Sequence, residues 1–157
     1  MALVPALVLK SGLPQVAGAG DTISTAVSNV STYAMTAAAA LVKGNAVYSL
    51  VAGTAGLAKG DATGTSRCIG LVADATIANA AIGNIAVAGP LTVADWTAII
   101  GSTALTPGAP YFVSDATAGL LTATAPTASG HFTHQVGYAL TATTMMIEVA
   151  PTVWAIP

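Results

Sequence analysis

At 157 residues the chain is long enough for one domain or two very small modules, and a net charge of −2 with four scattered cations builds no phosphate-neutralising stripe, which excludes a nucleic-acid partner. Charged residues make up 6% of the sequence, against about 25% in an ordinary soluble domain. A surface so bare is covered by Thr, Ser, Asn and Ala or hidden against other chains, and burial in an assembly is the expected outcome.

The chain opens on Ala2 to Leu9, an apolar run broken by Pro5 and far short of the ~18 uninterrupted apolar residues of a membrane-spanning helix. No membrane partner is expected. The first ten residues lack the cationic region of a secretory signal, and Lys10 and Pro14 interrupt the approach to Ala17-Gly18-Ala19, so the protein reads as soluble and made in the cytoplasm. Residues 1–40 read as an extended arm and linker, because the Gly/Pro-rich stretch to Gly20 offers no regular element that buries Leu3, Val4, Leu7 and Leu9 locally. Those four side chains are the first candidate partner contacts. Ser31 to Lys43 also admits a helix on composition, with Gly44 as its stop, although Thr32, Tyr33 and Thr36 favour a strand.

From there Gly and Pro, sixteen and eight in number, punctuate the chain too closely for helices of more than about three turns, and Thr and Val suit short strands. Residues 41–90 read as a first β module. Residues 91–104 read as a connector with a helical turn at Val93 to Ile100, capped by Thr92, favoured by Asp95 and stopped by Gly101. Residues 105–157 read as a second β module and tail. The closing Pro151-Thr152-Val153-Trp154-Ala155-Ile156-Pro157 is apolar where a fraying terminus is normally polar, which adds Trp154 and Ile156 to the candidate contacts.

The two modules echo each other. Leu41-Val42-Lys43-Gly44-Asn45-Ala46-Val47-Tyr48 reads like Leu105-Thr106-Pro107-Gly108-Ala109-Pro110-Tyr111-Phe112, Ile69-Gly70-Leu71-Val72 like Val136-Gly137-Tyr138-Ala139, and Ile85-Ala86-Val87-Ala88 like Ile147-Glu148-Val149-Ala150. Three landmarks recurring in order argue for an internal duplication. Gly70 and Gly137 sit where a bulge or a close backbone approach would bend a barrel strand. The expected fold is all-β, a small β-barrel or β-sandwich of two related modules behind an extended N-terminal arm.

The run Leu105 to Asp115, then Gly119-Leu120-Leu121-Thr122, Pro126, Gly130-His131-Phe132, Val136 to Leu140 and Met146-Ile147-Glu148-Val149, resembles a module of tailed-bacteriophage virion proteins. That module occurs in capsid decoration (cement) proteins and in some tail-fibre segments, and Leu9 to Val16 with Gly20-Asp21-Thr22-Ile23 is similar to the arm of such proteins. The resemblance covers about two thirds of the chain and consists of turns and strands. It implies a non-enzymatic virion structural protein on the capsid exterior, often a homotrimer, bound to the major capsid protein and bridging capsomers. A tail-fibre or receptor-adhesion module is the alternative it leaves open.

Chemistry has few places in this sequence. Ser114, Asp115, His131 and His134 supply the residue types of a Ser-His-Asp triad, but Ser114 lacks a G-x-S-x-G elbow and its surroundings are ordinary turn chemistry, so no catalytic residue is expected. His131 and His134, three apart, point to opposite faces of a strand and have no neighbouring Cys or acidic pair, so neither metal nor cofactor is expected. Gly53 to Gly64 is glycine-rich, yet Lys59 is followed by Gly60 rather than Ser or Thr, which argues for turns rather than a phosphate cradle. Cys68, the sole cysteine, excludes an intrachain disulfide and reads as a small buried apolar residue. Asn29-Val30-Ser31 is a formal glycosylation sequon, read as inert without a secretion signal.

Overall fold

A computed structural model describes residues 30–157 together with two short strands near the start of the chain. Those strands, β1 (Leu7–Lys10) and β2 (Leu13–Val16), pair antiparallel with Lys10 opposite Leu13. Leu3 and Val4 lie outside the described residues.

Thirteen further strands and one helical turn follow: β3 (Ser31–Ala37), β4 (Leu41–Val42), β5 (Ala46–Val51), β6 (Thr54–Leu57), β7 (Gly70–Val72), β8 (Thr76–Ile77), β9 (Ile82–Thr92), α1 (Thr97–Ile100), β10 (Pro110–Val113), β11 (Leu121–Thr122), β12 (Phe132–Thr133), β13 (Gln135–Ala139), β14 (Thr144–Glu148) and β15 (Trp154–Ala155). The all-β expectation holds. The helix that composition also admitted over Ser31 to Lys43 is instead β3 and β4, because the β-branched and aromatic residues at its start are paired along β9. β3 thus falls within the stretch read as arm and linker. The helical turn is shorter than expected. Thr92 does not cap it but ends β9, and Asp95 takes over by accepting the Thr97 N–H at 2.8 Å. The Thr97 side chain, and after it the Thr97 N–H, holds the Asp95 carboxyl below its ordinary range. Gly101 ends the turn in the left-handed conformation, as read from the sequence.

The first unit is a closed barrel. Pairings run β9–β3, β3–β6, β6–β5, β5–β7 and back to β9, with β3–β6 the single parallel step. Met35, Ala37, Val47, Ala55, Val72 and Ile85 fill it, joined by Leu41 and Ile77 from the β4–β8 pair. The second unit extends the same sheet as β11-β10-β13-β14, attached to the far half of β9.

The registers of the two units correspond at several positions. Val47 stands opposite Gly70 as Tyr111 stands opposite Gly137, and Ala46 opposite Leu71 as Pro110 opposite Tyr138. The Gly44 N–H donates to Val72 O, and the Gly108 N–H to Ala139 O, both 2.8–2.9 Å, from glycines at positive φ that close matching turns. The third sequence landmark is displaced by two residues. Val72 faces Ile85 and Ala139 faces Met145, so the counterpart of Ile85 in the second unit is Met145 rather than Ile147. A two-residue slip keeps every side chain on its face of the strand, which is why the sequence pattern alone tolerated it.

β9 belongs to both units. Its first half is the fifth strand, in chain order, of the closed barrel, lying between β3 and β7; its second half serves the second unit as β3 serves the first. Where β3 pairs with β6 to close the first barrel, the second unit places α1 against β11. Trp96, fully buried, and Ile99 pack there, and the Trp96 Nε1–H donates to Thr143 O at 3.1 Å.

Candidate functional site

The residues with catalytic potential are occupied by the architecture. The Ser114 hydroxyl accepts the N–H groups of Ala116 and Thr117 at 3.2 Å, closing the turn after β10. His131 Nδ1 and Asp115 Oδ2 pair at 2.8 Å, both partly exposed, beside the Lys59–Asp61 ion pair at 2.6 Å, and Lys59 holds the Asp61 carboxyl below its usual range. These groups flank a backbone seam in which the Gly60 N–H donates to Ser114 O and the Phe132 N–H to Gly60 O.

His134 lies elsewhere and is 2% exposed. Its Nδ1 lies 3.0 Å from both the Cys68 N and Ser66 O, and its Nε2 lies 2.8 Å from Ala150 O. A single imidazole ties the loop before β7 to the segment after β14. Its role is that of a polar fastener between units, and nothing brings it together with Ser114 and Asp115 as a triad. Among the described residues no group of three or more His, Cys, Asp or Glu side chains is placed to hold a metal ion.

Burial pushes the Cys68 thiol up to about 12 from 9.0. The folded state thereby favours the neutral thiol. This contribution to stability is fully present below pH 9.0 and is lost as pH rises from there towards 12. Iodoacetamide at pH 8.5 should leave Cys68 unmodified in the native protein and alkylate it in urea; rapid native labelling would contradict this burial.

What the structure does expose is apolar. Val51, Thr54, Thr36 and Ile82 stand side by side on the outer wall of the closed barrel, one from each of β5, β6, β3 and β9. The row spans about 14 Å at ordinary strand spacing. Val51 is 63% exposed and Ile82 75%. Ala34, next along β3, is also exposed, and Leu50 adjoins Val51 at the bulge in β5. Tyr33 has the inward parity of Met35 and Ala37 but lies beyond the last residue that β6 covers, which leaves it 62% exposed. No charged side chain interrupts the row.

Of the contacts read from the termini, Trp154 is 69% exposed on β15 and Ile156 is half-buried, its N–H donating to His131 O and its carbonyl accepting from Gly130. Leu7 and Leu9 lie on β1. The barrel-wall residues were missed by the sequence reading. Val51-Ala52-Gly53, a hairpin tip with an apolar residue where a polar one is usual, was the available signal.

No protein-family model and no curated protein matches the chain.

Proposed function

We propose that this chain is a non-enzymatic structural protein of a tailed-phage virion, decorating the capsid exterior as a homotrimer and bridging capsomers of the major capsid protein. The observation that carries the reading is the uncharged row Val51–Thr54–Thr36–Ile82, with two large aliphatic side chains exposed on a rigid barrel wall. Such a wall adheres by excluding water and needs little charge complementarity, which suits a chain that is 6% charged. The likeness of its turns and strands to virion modules supports the choice of partner. Trp154, exposed on a strand fastened to residues 130–133, supplies a second anchor away from the row.

The test is binding to purified capsids that lack the protein. The double variant Val51→Asp, Ile82→Asp should lose about 3 kcal/mol of binding, roughly 100-fold in affinity, with its near-UV circular dichroism unchanged. Binding at full strength by the folded variant would remove the row from the contact. Copy number separates the two virion readings: hundreds per particle mean decoration, and a handful mean a tail fibre.

A further inference from the structure

The barrel is closed, yet one of its strands keeps an open edge. The Ala37 N–H donates to Ala81 O on the β9 side, and the Thr36 N–H donates to Gly53 O on the other. Alternation along the strand therefore turns the backbone groups of Met35 and Tyr33 towards β9 and those of Ala34 and Thr32 away from it. Among the described residues β6 meets β3 only at Thr36 and Ala37, so the N–H and C=O groups of Thr32 and Ala34 face outward along an exposed edge.

The second unit contains the matching edge. Leu91 lies opposite Met145 as Tyr33 lies opposite Ile85, which places Pro90 where the first unit has Thr32 and Thr92 where it has Ala34. The Val93 N–H donates to Thr143 O, so Thr92 and Pro90 face outward. Proline offers no N–H there, a common way to blunt an edge against pairing. The first unit has no such block at Thr32 or Ala34.

The N-terminal hairpin carries the complement. Lys10 opposite Leu13 leaves two residues in the connection, and in such a hairpin the flanking pair is the hydrogen-bonded one. The backbones of Lys10, Leu13, Val8 and Gln15 then bond within the hairpin, and the backbone groups of Leu9, Pro14, Leu7 and Val16 point away from it. Pro14 blunts the outer edge of β2. The outer edge of β1 presents complete N–H and C=O groups at Leu7 and Leu9, two residues to match Thr32 and Ala34. Two isolated strands are marginal in water and gain by joining a sheet. The fourteen residues between Val16 and Ser31 reach up to about 50 Å, ample to bring β1 beside β3 of the same chain. So short a tether also favours this chain's own strand over a neighbour's through effective concentration.

We propose that β1 adds to the outer edge of β3 in the same chain, with Leu7 and Leu9 bonding the backbone of Thr32 and Ala34, so that the arm is a strand of the barrel sheet. The inference goes beyond the capsid reading and stands or falls apart from it.

Amide hydrogen exchange by NMR on the full chain tests it. The Ala34 amide should exchange at least tenfold more slowly than that of Thr92, its counterpart on the unpaired edge. Leu9→Pro removes an outward N–H without removing a bond inside the hairpin, and should bring Ala34 to the Thr92 rate while Val8 and Gln15 keep theirs. Equal rates for Ala34 and Thr92 in the wild type, or an Ala34 still slow in Leu9→Pro, would overturn the proposal. So would slow exchange recovered when labelled Leu9→Pro is mixed with excess unlabelled wild type, because the strand would then come from a second copy.

Discussion

Gly137→Ala should unfold this protein at markedly lower urea concentration, by about 3 kcal/mol or more of lost stability. A Cβ at Gly137 would fall on the carbonyl oxygen of Met146, with Ile147 Cα at 3.2 Å, and a Cβ at Gly70 would fall on the carbonyl oxygen of Ala86, with Ile85 Cγ2 at 3.1 Å. The obstruction is neighbouring-strand backbone in both cases, which no rotamer change relieves. Gly70→Ala should cost a similar amount because the two glycines occupy one position of the duplicated unit. Neither has a left-handed backbone, so the cost comes from contact and not from φ. Gly64→Ala, with open space around it and no positive φ, is the control and should stay within about 0.5 kcal/mol of wild type. A wild-type urea midpoint for Gly137→Ala would mean that β13 and β14 do not approach as closely as described.

Trp96→Ala should cost about 4 kcal/mol. The indole is fully buried in the second unit, and a Cβ added at Gly44 in the first would meet its ring at 3.1 Å, so it also packs across the junction between units. Truncation leaves a cavity and deprives Thr143 O of its indole partner. Trp96→Phe separates the two effects: it keeps most of the packing, loses the hydrogen bond, and should recover more than half of the stability. Thermal unfolding followed by circular dichroism measures both. Equal destabilisation by Phe and Ala would put the hydrogen bond, not the ring, in control.

The all-β class and the matching turns were legible because both are written in local signals. Thr and Val favour strands, and the turns at Gly44 and Gly108 must be made by residues that accept positive φ. The counterpart of Ile85 in the second unit was misplaced since a strand repeats every two residues and a slip of two changes nothing that a pattern can register. The exposed row was hidden for a related reason. Alternation assigns Val51 and Ile82 to one face of their strands, but which face turns outward is decided only when β3 and β6 meet and the barrel closes. The shared strand was not legible either: the boundary drawn after residue 90 falls inside β9, because a strand serving two units carries no composition break. His134, read as a solvated or hydrogen-bonded polar side chain, turned out fully partnered, its acceptor and donor supplied by backbone distant in sequence.

The position of β9 also determines how the molecule bears a mechanical load. β3, near the start of the described residues, and β14, near the end, are both antiparallel to β9 and flank it on opposite edges. They run in the same direction, so tension applied between the start of β3 and the end of β14 drags β3 backwards and β14 forwards along a common rail. Both ladders are then strained lengthwise, and their hydrogen bonds must break together rather than one after another as in a zipper. A molecule gripped at the start of β3 and the end of β14 would behave as an inextensible link.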